Sequence, residues 1–122
     1  VPLSEAFRPV MSLYSVVSMI KTIRQQNPNC EIILLGTMLA NPLAKNQSKN
    51  QTEYTEYLGK LAKNYENVSV LDIGAMHQDL LDAGKHYTEM SSNNVNHPND
   101  FFCRVYAQTI FKALIGYENL AD

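Results

Sequence analysis

The chain has 122 residues, the size of one domain, and its 45% hydrophobic share excludes intrinsic disorder over most of its length. Charged residues are only 18%, the net charge is −2, and Lys and Arg are scattered rather than clustered, so nucleic acid and anionic membrane are poor partners. No apolar stretch approaches the roughly 20 residues of a spanning helix. The polar surface leans instead on twelve asparagines. The opening Val1-Pro2-Leu3 carries no initiator Met, basic n-region or cleavage-type segment, and the expectation is the interior of a longer protein.

Residues 9–26 are predicted as the first helix. Val10, Leu13, Tyr14, Val17, Ile20 and Ile23 fall at helical spacing, Pro9 suits a first turn, and Asn27-Pro28-Asn29 stops it. Residues 31–36 form a short unbroken apolar run, Glu31-Ile32-Ile33-Leu34-Leu35-Gly36, which suits a strand covered on both faces. Residues 37–49 read as a loop. A second helix, 51–65, carries the stripe Tyr54, Tyr57, Leu58, Leu61, Ala62 and Tyr65, whose tyrosines read as core rather than as a sugar platform. A second strand follows at 68–73 and a short helix at 74–83, with Met76, Leu80 and Leu81 as its apolar contacts. Residues 84–98 are irregular, and the last helix, 99–115, is polar only at Arg104, Gln108 and Lys112, leaving the rest available for burial.

Strands alternating with helices point to βαβ units and an open parallel α/β sheet. Only two strands are present, and a two-stranded sheet is marginal alone, so the edge of residues 31–36 is expected to be covered. The two cysteines, Cys30 and Cys103, lie 73 positions apart, fit no metal or redox motif, and are expected to be buried free thiols.

In open α/β sheets, ligands bind beyond the carboxyl ends of the strands. Those ends lead into residues 37–41 and 72–74, and the loop before the last helix can fold over the same rim. That loop contains Asn93-Asn94-Val95-Asn96-His97-Pro98-Asn99-Asp100. His97 precedes a helix start that Asn99 can cap, where the positive helix end disfavours an imidazolium and suits a ring that accepts a proton. The plainer alternative is a polar loop histidine bonded to backbone.

The stretch Asn94-Val95-Asn96-His97-Pro98-Asn99 resembles the last motif block of the SGNH (GDSL-type) serine hydrolases. In that family an Asp-x-x-His pair, followed by Pro-Asn and a helix, supplies the catalytic His and its orienting carboxylate. The resemblance extends to the order of elements before it: a helix ending in Ile23-Arg24 and Asn27-Pro28, the strand at residues 31–35, a Tyr- and Leu-rich helix, and Val68-Ser69-Val70-Leu71-Asp72. Only the His-Pro-Asn block is specific, since the element order is shared by many flavodoxin-like folds.

The resemblance implies that residues 1–122 are the C-terminal portion of a single flavodoxin-like three-layer α/β/α hydrolase domain. Its substrate would be a small acyl ester, such as an acetyl ester on carbohydrate. The nucleophilic Ser and the oxyanion-hole Gly and Asn would lie upstream of Val1, so the chain alone is expected to be inactive. The strand edge would be covered by that missing half or by a second copy. His97 would act as general base and then general acid, with no metal or cofactor. Asn94 stands where the family has Asp. It, or a backbone carbonyl, would orient the ring without the charge that makes the third member of a triad valuable. Asp72, Glu89 and Asp100 are the carboxylates that could serve instead, although Asp72 and Asp100 also suit helix starts. The rival reading is a non-catalytic binding or interaction module.

Other chemistry-bearing residues receive plain readings. Ser91 and Ser92 are loop or capping serines, and Cys103 is an inert thiol on an apolar helix. His77 and His86 are expected to face solvent, because spacings of nine and eleven across the three histidines match no zinc motif.

Overall fold

A parallel strand pair with its helical crossover organises the chain. The computed structural model describes residues 8–45, 47 and 49–116, with side chains from residue 12 onward, so Val10 and the opening tripeptide lie outside the described side chains. The elements run α1 (Arg8–Gln26), β1 (Ile32–Gly36), α2 (Gln51–Ala62), β2 (Val68–Asp72), α3 (Ile73–Asp82), a 3-10 turn (Tyr87–Glu89) and α4 (Asp100–Ile115). The protein is therefore mixed α/β, with four helices and a two-stranded parallel sheet among the described residues.

β1 pairs with β2 in the register Ile32↔Val68 through Gly36↔Asp72. The crossover helix α2 packs on both strands. Its buried Thr55 presses on the end of β1, where a methyl group on Gly36 would lie 2.5 Å from Thr55 Oγ1. Thr55 Cγ2 and Cβ would lie at 2.7 and 3.1 Å, so turning the side chain does not relieve the clash and the approach requires glycine. Asn67 makes the tight entry to β2 at φ 58°, a left-handed conformation that Asn tolerates, and its carbonyl accepts the Ile32 amide at 2.9 Å.

The main buried cluster sits at the carboxyl ends of the strands. Met38, Ile73, Met90 and Phe102 form it, with Leu80, Leu81, Tyr87, Val105 and Tyr106 packed against it. It thus joins the exit of β1 to α3, the 3-10 turn and α4, directly beneath the rim.

Four expectations require correction. On α1, Tyr14 and Ile23 are exposed, while Leu13, Val16, Val17, Ile20 and Arg24 form the inward line. The stripe is rotated by a fraction of a turn, and the Arg24 guanidinium donates to the Glu66 carbonyl. On α2, Leu58 and Ala62 are buried as expected, but Tyr57 is exposed and Tyr54 and Tyr65 are only half-buried. On α4 only Phe102 is fully buried, and Phe111 and Leu114 remain 50% and 67% exposed. An apolar helix is buried only where something packs on it, and α4 meets β2 along one side. Neither thiol is fully buried: Cys103 is exposed on α4 and Cys30 is half-buried.

Candidate active site

The loop that carries His97 is closed at its base and filled by its own asparagines. Asn99 N–H donates to the Met90 carbonyl at 3.1 Å, Ser92 N–H donates to the His97 carbonyl at 3.0 Å, and Ser91 and Pro98 form an antiparallel bridge. Asn99 caps α4 as expected, its Oδ1 accepting the Phe102 amide at 3.0 Å, while its Nδ2 donates to the Glu89 carbonyl at 2.7 Å. The helix start and the loop base are thus fixed by one side chain.

Inside the loop, Asn93 Oδ1 accepts three backbone amides, those of Val95, Asn96 and His97, at 2.9, 3.0 and 3.1 Å. This convergence requires the chain to turn back on itself, and Asn94 supplies the turn with φ 58°. It also settles the orientation of the Asn93 carboxamide, whose Nδ2 then faces outward. Ser91 Oγ is buried, donates to the His97 carbonyl at 2.9 Å and accepts the Asn94 amide at 2.9 Å. It is a capping serine and is committed to the backbone.

The loop is laced to the exit of β1. Asn41 N–H donates to the Val95 carbonyl and Asn41 Nδ2 to the Asn94 carbonyl, both at 2.8 Å. The Tyr87 hydroxyl lies 2.8 Å from the Leu39 carbonyl and 3.0 Å from the Val95 carbonyl, so one phenol bridges both rim segments. Tyr106 accepts the Met38 amide at 2.8 Å. Burial pushes both phenols above the ordinary tyrosine range.

The His97 ring is exposed on this scaffold. Its Nδ1 lies 2.5 Å from Asn96 Oδ1 and 2.9 Å from Asn93 Nδ2. Asn96 Nδ2 faces Gln47 Oε1 at 3.4 Å, and Asn96 Oδ1 receives Asn93 Nδ2 at 3.3 Å, which together orient its carboxamide with the oxygen toward the ring. The shorter contact assigns the tautomer: Nδ1–H donates to Asn96 Oδ1, Asn93 Nδ2 donates to the same oxygen rather than to the ring, and the Nε2 lone pair is left free.

The ring contact expected of Asn94 is thus made by Asn96 and Asn93. Asn94 contributes its backbone instead, because its left-handed conformation spends its amide and carbonyl on Ser91 and Asn41. The alternative carboxylates are occupied elsewhere. Asp72 caps α3 by accepting the Ala75 amide at 2.9 Å. Glu89 accepts the His86 amide at 2.8 Å, a bond that holds its carboxyl below the usual range. Asp100 occupies the first turn of α4, where negative charge suits the helix end.

His77 overturns its expectation. It is 0% exposed, with its ring tilted against Phe102 at 4.5 Å and Tyr87 at 5.2 Å. Its Nδ1 accepts the Leu39 amide at 3.0 Å, so the proton sits on Nε2, which has no partner. A buried donor left unpaired costs about 1–3 kcal/mol. Burial also lowers the pKa of His77 below its ordinary value. The signal was available at helical spacing: Ile73, His77, Leu80 and Leu81 share one face of α3, and Met76, expected there, is exposed. His86 faces solvent as expected.

Among the described residues, no group of three or more His, Cys, Asp or Glu side chains gathers where a metal ion could bind. A cleft of about 230 Å³ lies between the amino ends of the strands and the end of α4, lined by residues including Ile33, Val68 and Leu114. It is at the opposite end of the strands from His97.

Fold and site together define a mixed α/β protein with a solvent-facing imidazole laced to the carboxyl-end rim of a parallel strand pair. No family model, curated protein or solved structure matches the chain.

Proposed function

We propose that this chain is the C-terminal portion of an SGNH-type serine hydrolase domain with a flavodoxin-like three-layer α/β/α architecture, cleaving small acyl esters. The observation that carries the reading is the exposed His97 ring, whose Nδ1 is engaged by Asn96 while Nε2 stays free at the strand rim. In this reading Nε2 takes the proton of a serine hydroxyl supplied by polypeptide outside the chain, as the oxygen attacks the ester carbonyl. It then returns that proton to the leaving alcohol. Backbone amides supplied by the same outside segment stabilise the oxyanion, and that segment or a second copy covers the outer edge of β1. The Asn96 amide holds the tautomer but lends no charge to the imidazolium, which predisposes the site to slow turnover.

The amide surroundings of His97 favour one competitor, a flavodoxin-like binding or interaction module in which the ring only contacts a partner. Hydrolysis of a short-chain aryl ester by the protein carrying its upstream serine separates the two. Under the hydrolase reading, His97→Ala lowers kcat by roughly 10⁴-fold or more. Turnover unchanged by that substitution removes His97 from the chemistry and leaves the binding module.

A further inference from the structure

His77 is the one fully buried histidine among the described residues, and the proposed hydrolysis makes no use of it. Its position is unusual in that a backbone amide donates into the ring. Leu39 N–H reaches Nδ1 at 3.0 Å, and Leu39 belongs to the segment leaving β1. That bond exists only while Nδ1 keeps its lone pair. Protonation would set N–H against N–H at this contact, and would place a charge between Phe102 and Tyr87 with Nε2 already unpartnered.

The same segment is joined to the His97 loop on its other side. The Tyr87 hydroxyl reaches both the Leu39 and Val95 carbonyls, and the Asn41 amide donates to the Val95 carbonyl. We propose that His77 is an acid-sensitive latch: neutral, it pins the exit of β1 and with it the His97 loop, and protonated, it releases both. The proposal concerns the fold of the rim and holds whether or not the protein hydrolyses esters.

The surroundings leave His77 to act alone in the acid range. The 3-10 turn brings Tyr87 to the ring, and α4 brings Phe102 with Tyr106 behind it. Both phenols are pushed up by burial and stay neutral there. The exit segment contributes Met38, Leu39 and Ala40, which carry no charge. Burial alone lowers the His77 pKa, with no neighbouring charge contributing. The sign follows: below the ordinary value of 6.5 the released ring binds a proton that the latched ring refuses, so opening becomes easier as pH falls.

Amide hydrogen exchange on the protein across this range, corrected for the intrinsic rate, tests the latch. The opening equilibrium reported by Leu39 and Asn41 is expected to grow by up to about tenfold per pH unit below 6.5, while Leu34 and Leu71, whose amides face the partner strand, hold their protection. His77→Asn places an amide oxygen close to the former Nδ1 and cannot titrate, so it is expected to flatten that dependence. If this variant does not fold, the wild-type profile decides. Flat Leu39 protection, or strand and rim amides opening together, overturns the proposal. A His77 ring found with its proton on Nδ1 by long-range 1H–15N correlation also overturns it.

Discussion

The two ends of the strand pair are built differently. At the carboxyl end, the backbone of Met38, Leu39 and Asn41 is bonded to Tyr106, His77, Tyr87 and the His97 loop above a fully buried Phe102. At the amino end, Ile32, Ile33 and Val68 line an open cleft beside Leu114, which is mostly exposed. One helix, α4, serves both ends, with Phe102 in the core at its start and Phe111 and Leu114 in solvent toward its finish. Stability is therefore concentrated at the end that carries His97. The apolar far end is where an additional covering element would add most.

Substitutions at the two ends should differ sharply. Phe102→Ala removes the largest side chain of the rim core and is expected to lower stability by about 3–5 kcal/mol in urea denaturation. Tyr87→Phe is expected to cost about 1–3 kcal/mol, because the two carbonyls that share its hydroxyl lose that donor. Asn93→Ala should cost about 1–2 kcal/mol, by analogy with losing a helix cap, since three loop amides lose their acceptor. Leu114→Ala is expected to stay within about 0.5 kcal/mol. A Leu114 effect as large as that of Tyr87→Phe would break the contrast and indicate that the far end is covered.

Alkaline titration sharpens the same contrast. Tyr87 and Tyr106 ionise above their ordinary value of 10.0 when folded, so the folded chain holds protons that the unfolded chain has lost. Their contribution is complete below 10.0 and is lost as pH rises past it, and Tyr106→Phe should reduce that slope.

Much of the architecture was legible from periodicity and punctuation. Asn27-Pro28 ends α1, the apolar run ending at Gly36 is a strand, and Asn99 caps α4, because each depends on local chemistry. Burial was less legible, since it depends on neighbours. Tyr14 and Phe111 have the right spacing for a core, but the described packing leaves both exposed. At the site, His97 could be singled out from its place before the helix. Its ring partner could not be, because Asn93, Asn94 and Asn96 are chemically alike. A left-handed turn at Asn94 decides which carboxamide meets the ring. His77 escapes motif spacing for a different reason: no metal pattern marks it, and only its place in the apolar stripe with Ile73 and Leu81 signals burial.

The two rim histidines bond in opposite senses, and one spectrum examines both. Long-range 1H–15N correlations at neutral pH should show His77 with its proton on Nε2 and His97 with its proton on Nδ1. That pair of tautomers is the expected result of one ring accepting a backbone amide while the other donates from Nδ1 to Asn96. A His97 ring carrying its proton on Nε2 would contradict the account, because the nitrogen assigned to receive the serine proton would already be occupied.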